Sequence, residues 1–413
     1  MPVPSDQTLR GVSVPISMLA QPDRFGGQLC QDCLQGDLII RKGKILGMNQ
    51  SNLQTQAQYL VMPKLTECHV HLDKCHSISR MTGSGGDLRA AIDAQAADRA
   101  AWTADDIRNR AKRGLQELIA SGCDVVRSHL DWTHGAEAFE PPLAWQVLNT
   151  LGQDYKDEVT LQVAPLMGIA DLANHDIAKV TAALAAKTSG VLGAFVLDQP
   201  SRRQGIENAF RMADQFGLAL DFHVDEGLAE GLNGLEMIAD AAIACGFEGP
   251  ILCGHACSMA NLNRSALTGL IDKIARAGLT VAALPSTNLY LQGRVDGTPD
   301  RRGITRMREL GAAGVPMAVG TDNVRDAFCP LGQHDPRQSL AMAVLAAHLD
   351  PPFGDHLPMI TTNARQALGL APTFVDGAAI GDLLLFDATS TSDILSGAGR
   401  PKSLSDVLKG EIA

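Results

Sequence analysis

Eight apolar, β-rich runs recur through the middle of the chain, each separated from the next by a stretch of helical character. This alternation constrains the fold more than any other feature. The runs are 60–73 (LVMPKLTECHVHLD), 124–131 (DVVRSHLD), 159–166 (VTLQVAPL), 191–197 (VLGAFVL), 218–225 (LALDFHVD), 250–256 (PILCGHA), 279–285 (LTVAALP) and 315–322 (VPMAVGTD). The segments between them, such as DIRNRAKRGLQELIASG and SALTGLIDKIARAG, are rich in Ala and Leu and reach a glycine where a helix would stop. Strands that alternate with helices pair in parallel, and eight such units close into a (β/α)8, TIM-like barrel. The flanks break the pattern. Residues 37–48 (GDLIIRKGKILG) read as a hairpin turning at KGK, and residues 381–387 (GDLLLFD) as a further strand. The expected organisation is an α/β barrel over 59–371 beside a small β-sandwich domain assembled from 1–58 and 372–413.

The formal net charge of −11 over 413 residues argues against nucleic acid as a partner, because phosphate binding needs a basic surface. No apolar run is long enough to span a bilayer, and the opening MPVPSDQTLR has neither the basic leader nor the apolar stretch of a signal peptide. A cytoplasmic enzyme acting on a small molecule, without a membrane partner, is expected. The nine cysteines are an odd number in a chain without a secretion signal, which points to free thiols. Cys30 and Cys33 form a CxxC with no second pair at zinc-site spacing and are read as inert.

Functional residues of such a barrel sit at the C-terminal ends of its strands. His69 and His71 end the first run, and residues i and i+2 of a strand share a face, so both imidazoles aim at the barrel mouth. His223 ends the fifth run, His255 the sixth and Asp322 the eighth. A lone HxH in a strand means little. Ligand-type side chains at four separate strand ends on one rim point to Zn²⁺ or Fe²⁺ held by His69, His71, His223 and Asp322. Glu226, just past the fifth strand, is placed to move protons. His255 is placed to steady the attacking water or the developing charge. Asp225 is the weaker acid candidate. The fourth run carries no lysine to bridge a second ion, which favours one metal.

The segments ECHVHLDK (67–74), VRSHLD (126–131), FHVDE (222–226), GHACSMA (254–260), GTDNVRDAFCPLG (320–332) and NLYLQGRVDGTPDRRGITR (288–306) resemble the bacterial cytosine deaminase branch of the amidohydrolase superfamily over about residues 35–390. The resemblance implies the same metal ligands, Glu226 as proton shuttle, His255 beside the reacting water, and an oligomer. It also marks departures. The family's base-reading glutamine after strand three is replaced at about Met167. Its second aspartate and its tryptophan are replaced by Asn323 and Phe328. Gln292, Met167, Asn323 and Phe328 are expected to line the base pocket. Losing a carboxylate and ring volume there admits a 5-substituent on the base.

The expected reaction is hydrolytic deamination of an aminopyrimidine, cytosine or a 5-substituted cytosine such as 5-methylcytosine, in catalysis by Glu226, His255 and Asp322. The alternatives are hydrolysis of an N-alkylamino-triazine, a pterin or a cyclic amide on the same scaffold, and a catalytically inactive metal-binding relative. Lys74, His76 and Arg80 are read equally as pocket or lid residues. His129 is read equally as a buried structural residue or as a partner that hydrogen-bonds and orients the ligands.

Overall fold

The computed structural model describes residues 6–50, 57–81, 85–132 and 140–410. The expected outer limits of the small domain, at 1–5 and 411–413, lie outside them. Eight parallel strands, Leu65–Val70, Cys123–Asp131, Thr160–Gly168, Val191–Val196, Ala219–Val224, Ile251–His255, Thr280–Ala283 and Met317–Val319, pair in chain order. A parallel bridge between Val70 and Asp322 brings the last strand back to the first, and the Asp322 N–H donates to the His69 carbonyl at 2.8 Å. The barrel is therefore closed at the level of the expected ligands. Covered on both faces, its strands read as nearly unbroken apolar runs.

The helix Ala104–Ala120 shows how the outer ring is built. Thr103 caps it by accepting from the Asp106 N–H, and Ile107, Ala111, Leu115 and Leu118 form the buried stripe. The chain then turns at Gly122, whose φ of 100° suits glycine, directly into the second strand. A helix that the alternation did not announce, Leu88–Arg99, precedes it. Asp87 caps this helix through the Ala90 N–H.

A mixed sheet joins the two chain ends. Its order is Lys402–Ser403, Leu383–Phe386, Tyr59–Pro63, Asp6–Pro15, Cys33–Arg41, Gln28–Cys30, with Lys44–Asn49 also paired to Cys33–Arg41. The hairpin expected at KGK turns at Lys42 and Gly43, both with positive φ, as a two-residue turn requires. Cys30 and Cys33 face each other across a second hairpin of this sheet as free thiols. The run 60–73, expected as one barrel strand, is two. Tyr59–Pro63 belongs to the terminal sheet and Leu65–Val70 to the barrel. The hinge is Lys64, whose N–H turns to the Asp382 carbonyl while the Leu65 N–H goes to Gly122. Apolar character runs unbroken through both pieces, so hydropathy does not mark the change of sheet. No helix among the described residues is long and apolar enough to cross a membrane.

Candidate active site

The barrel brings His69, His71, His223 and Asp322 together. His71 Nε2 is 3.2 Å from His223 Nε2 and 3.2 Å from Asp322 Oδ1, and His69 Nε2 is 3.6 Å from Asp322 Oδ1. Donors held at about 2.0–2.1 Å from a tetrahedral ion lie about 3.3 Å from one another. Both ring nitrogens of His69, Nδ1 of His71 and of His223, and both carboxylate oxygens of Asp322 are buried without a well-formed hydrogen bond among the described residues. Burial lowers the pKa of all three histidines, which keeps their lone pairs free. Burial alone would raise Asp322, but the His71 imidazole beside it and the other neighbouring imidazoles outweigh it, so the carboxyl is held low. Three neutral imidazoles and one carboxylate are the donors that zinc and ferrous iron take. The residues fit a divalent ion.

Two features hold these donors in place. The buried Glu67 carboxylate accepts from the His69 N–H at 2.9 Å and from the Thr321 N–H at 3.1 Å, stapling the first strand to the residue before Asp322. Gly254 and Gly320 leave the space that His69 occupies. A Cβ on Gly254 would lie 3.0 Å from His69 Cε1, and one on Gly320 would lie 2.9 Å from His69 Cβ. His129 joins the same cluster, its ring 4.2 Å from that of His69 and 4.6 Å from that of His223. Its Nε2 lies 3.1 Å from Asp221 Oδ2, which also receives Arg127 Nη1 at 2.9 Å. His129 thus has its own orienting carboxylate, and the cluster holds five imidazoles once His255 is counted.

Asp225, His255, Ala256 and Asp322 all have positive φ, an uncommon state for residues with side chains, and all lie at strand ends around the site. The turn at Asp225 separates the two adjacent acids. Asp225 accepts from the Gly234 and Leu235 N–H groups and so fastens the start of the helix Gly234–Cys245. Glu226 turns into the cavity, with Oε2 3.7 Å from His255 Nε2. Burial pushes the Glu226 carboxyl up to about 7. Asn288 Oδ1 lies 3.0 Å from His255 Nδ1, which assigns the ring hydrogen to Nδ1 and leaves Nε2 facing Glu226.

These groups open into a cavity of about 420 Å³. His71, His223, Glu226, His255 and Asp322 line its polar end. Trp132, Leu166, Phe195, Leu197, Asn323 and Phe328 supply its walls, and Leu88, Ile92, Gln95, Ala96 and Arg99 of one helix close it. Asn323 and Phe328, expected at the base pocket, stand on the wall of this cavity. Met167 does not. Strand alternation turns it into the hydrophobic core, and its neighbours Leu166 and Gly168 line the cavity instead. Gln292 is also absent from the lining. Its Nε2 reaches the Glu226 carbonyl at 3.5 Å, while Thr305 donates to the His255 carbonyl at 2.7 Å. The LQGR…RRGITR segment thus braces the backbone that carries Glu226 and His255.

Of the unassigned residues, Lys74 lines the cavity and pairs with Asp131, which also receives Arg99. Burial opposes the Lys74 charge, but Asp131 and Asp73 outweigh it and its pKa is raised. His76 pairs with Glu117, and Arg80 with Asp98 and Asp106, away from the cavity. The helix over 88–99 escaped sequence reading as a site element. The spacing of Leu88, Ile92, Gln95, Ala96 and Arg99 was its available signal, since these positions share one helical face.

Residues 169–373 match the amidohydrolase family. The chain is 34% identical over 401 residues to a pterin deaminase of Rhizobium rhizogenes, covering 94% of this chain and 90% of that protein. It is 20% identical over 373 residues to an N-isopropylammelide isopropyl amidohydrolase of a Pseudomonas species, covering 86% of each. Among solved structures, 5-methylcytosine deaminase from Klebsiella pneumoniae superposes with a TM-score of 0.78 at 22% identity, over 96% of this chain and 95% of that one. The fold and the donor set define a barrel hydrolase acting on carbon–nitrogen bonds other than peptide bonds. The chain belongs to the amidohydrolase family.

Proposed function

We propose that this protein is a metal-dependent hydrolytic deaminase of a pterin-class aminoheterocycle. The observation that carries the reaction type is the Glu226 and His255 pair opening into the same cavity as the four-donor cluster. The substrate class rests on the similarity to a pterin deaminase along nearly the whole of both chains. It is supported by the size and apolar walls of the cavity, since one six-membered ring would leave much of about 420 Å³ unfilled. A pterin carries its amine on a pyrimidine ring fused to a second ring, so the aminopyrimidine chemistry expected from the sequence is kept.

His69, His71, His223 and Asp322 would hold the ion. A divalent ion there supplies Lewis-acid polarisation that makes water nucleophilic at neutral pH. Glu226, with its carboxyl near neutrality, takes a proton from the attacking water and gives it to a ring nitrogen, which makes the amine-bearing carbon electrophilic. A C–O bond forms at that carbon. Glu226 then moves the second water proton to the amine, the C–N bond breaks and ammonia leaves, so an oxo group replaces the amine. His255 Nε2, its lone pair turned to the cavity by the Asn288 contact, accepts a hydrogen bond from the attacking water and orients it. Phe328 and Trp132 offer flat apolar surface to the ring.

A second reading, 5-methylcytosine, is favoured by Asn323 and Phe328 on the cavity wall. Ammonia release from pterin, cytosine, 5-methylcytosine and aminotriazines by metal-loaded protein separates the two. Pterin is expected to give the highest kcat/KM, and faster turnover of 5-methylcytosine would reverse the order of the readings.

A further inference from the structure

Gln95 closes the cavity with a polar group that the proposed reaction does not use. It sits on the inward face of the helix Leu88–Arg99, is 1% exposed and lines the cavity. Neither its Oε1 nor its Nε2 has a hydrogen-bond partner among the described residues. Among the neighbouring polar groups, Arg99 Nη2 and Lys74 both bond Asp131, and Asn323 Nδ2 donates to Asp326 at 2.7 Å, while Arg99 Nε is buried without a partner among the described residues. A buried amide with both ends unpaired destabilises the unliganded fold. Its apolar neighbours Leu88, Ile92 and Ala96 would have been completed more stably by a leucine at this position.

We infer that Gln95 is the specificity-determining amide of the site, which reads a substrate edge presenting a ring N–H beside a carbonyl. An amide offers one acceptor and two donors side by side, and a lactam edge of this kind offers the complementary acceptor and donor. Pairing both Gln95 atoms on binding makes the site discriminate by hydrogen bonding, and such sites reject analogues that lack the partner far better than apolar pockets do.

The inference rests on the proposed deaminase function, and its test keeps the two apart. Metal-loaded wild type and Gln95→Leu are assayed with pterin, with the wild type's best substrate from the aminoheterocycle panel if that differs, and with the matching analogue lacking the ring carbonyl. Thermal-shift binding of the same compounds and metal content are measured alongside. Gln95→Leu is expected to keep its metal and to match or exceed the wild-type Tm. Its kcat/KM on the lactam substrate should fall by roughly tenfold to hundredfold, mostly in KM, and the preference over the carbonyl-free analogue should collapse towards unity in both turnover and thermal shift. Equal loss on both compounds, or an unchanged preference, overturns the role of Gln95. Failure of wild type to turn over pterin overturns the substrate reading alone, since Gln95 is then judged on the panel substrate. If no panel compound is turned over, the thermal-shift preference decides. Gln95→Met, which keeps the length of the side chain and removes both polar atoms, guards against a packing artefact: it is expected to lose the same preference, and an intact preference in it would overturn the role of Gln95.

Discussion

His71 Nε2 and His223 Nε2 face each other at 3.2 Å, although the two residues are 152 positions apart and come from the first and fifth barrel strands. Two neutral imidazoles share at most one hydrogen across such a contact. The contact matches an edge of a tetrahedral metal site, and Asp322 Oδ1 continues the same spacing.

Removal of His223 tests this arrangement first. His223→Ala is expected to weaken zinc binding by more than about 100-fold, beyond the usual effect of losing an outer-shell partner. Competition with a chromogenic chelator measures it. Unchanged affinity would mean that the ion, if bound, sits elsewhere.

Gly254 provides a test that leaves every donor in place. A methyl group at this position would press on His69 Cε1 at 3.0 Å, and the ring is fully buried. Gly254→Ala is expected to cost roughly 10–100-fold in metal affinity by tilting His69. Affinity equal to wild type, with Tm also unchanged, would show that His69 has room to adjust.

Glu226 governs the proposed proton transfers. Glu226→Gln is expected to retain the metal and lose about 10²–10⁴-fold in kcat. Because burial raises the wild-type carboxyl to about 7, and the carboxylate is the form that accepts the proton, kcat/KM should rise with pH through about 7. Steady-state rates between pH 5 and 9 test the profile. A wild-type profile that falls across neutrality contradicts a base role.

Outside the site, His76 and His334 flank Glu117, with Nε2 of His76 at 3.2 Å and Nδ1 of His334 at 2.8 Å. Burial lowers His76 to about 4 and also lowers His334. A histidine depressed in the folded state contributes stability above its unfolded pKa of about 6.5, and loses it as pH falls towards the folded value. Metal-free wild type should therefore lose more Tm between pH 7 and 4.5 than metal-free His76→Asn does. Equal losses in the two proteins would remove His76 from the acid response.

Much of this was legible in the sequence, because each barrel strand is a short apolar run and the chemistry stands at strand ends. His69, His71, His223, Glu226 and Asp322 could be placed on one rim from strand count and alternation alone. Met167 could not, because one residue of register decides whether a strand side chain faces the cavity or the core. Gln292 failed for a different reason. Its segment carries a family-like pattern, but the side chain turns back to the Glu226 carbonyl, a contact set by tertiary packing. Gln95 lay hidden on a helix between two strands, where a polar residue on an amphipathic face reads as solvated until the neighbouring walls are known.

The central claim is tested most directly by stripping the protein of metal and titrating it with Zn²⁺ or Fe²⁺ while measuring ammonia released from pterin. The account predicts release at background level without metal, rising to a plateau at one equivalent of ion per chain. A rate that does not depend on added metal, or a plateau reached only at two equivalents, would contradict it.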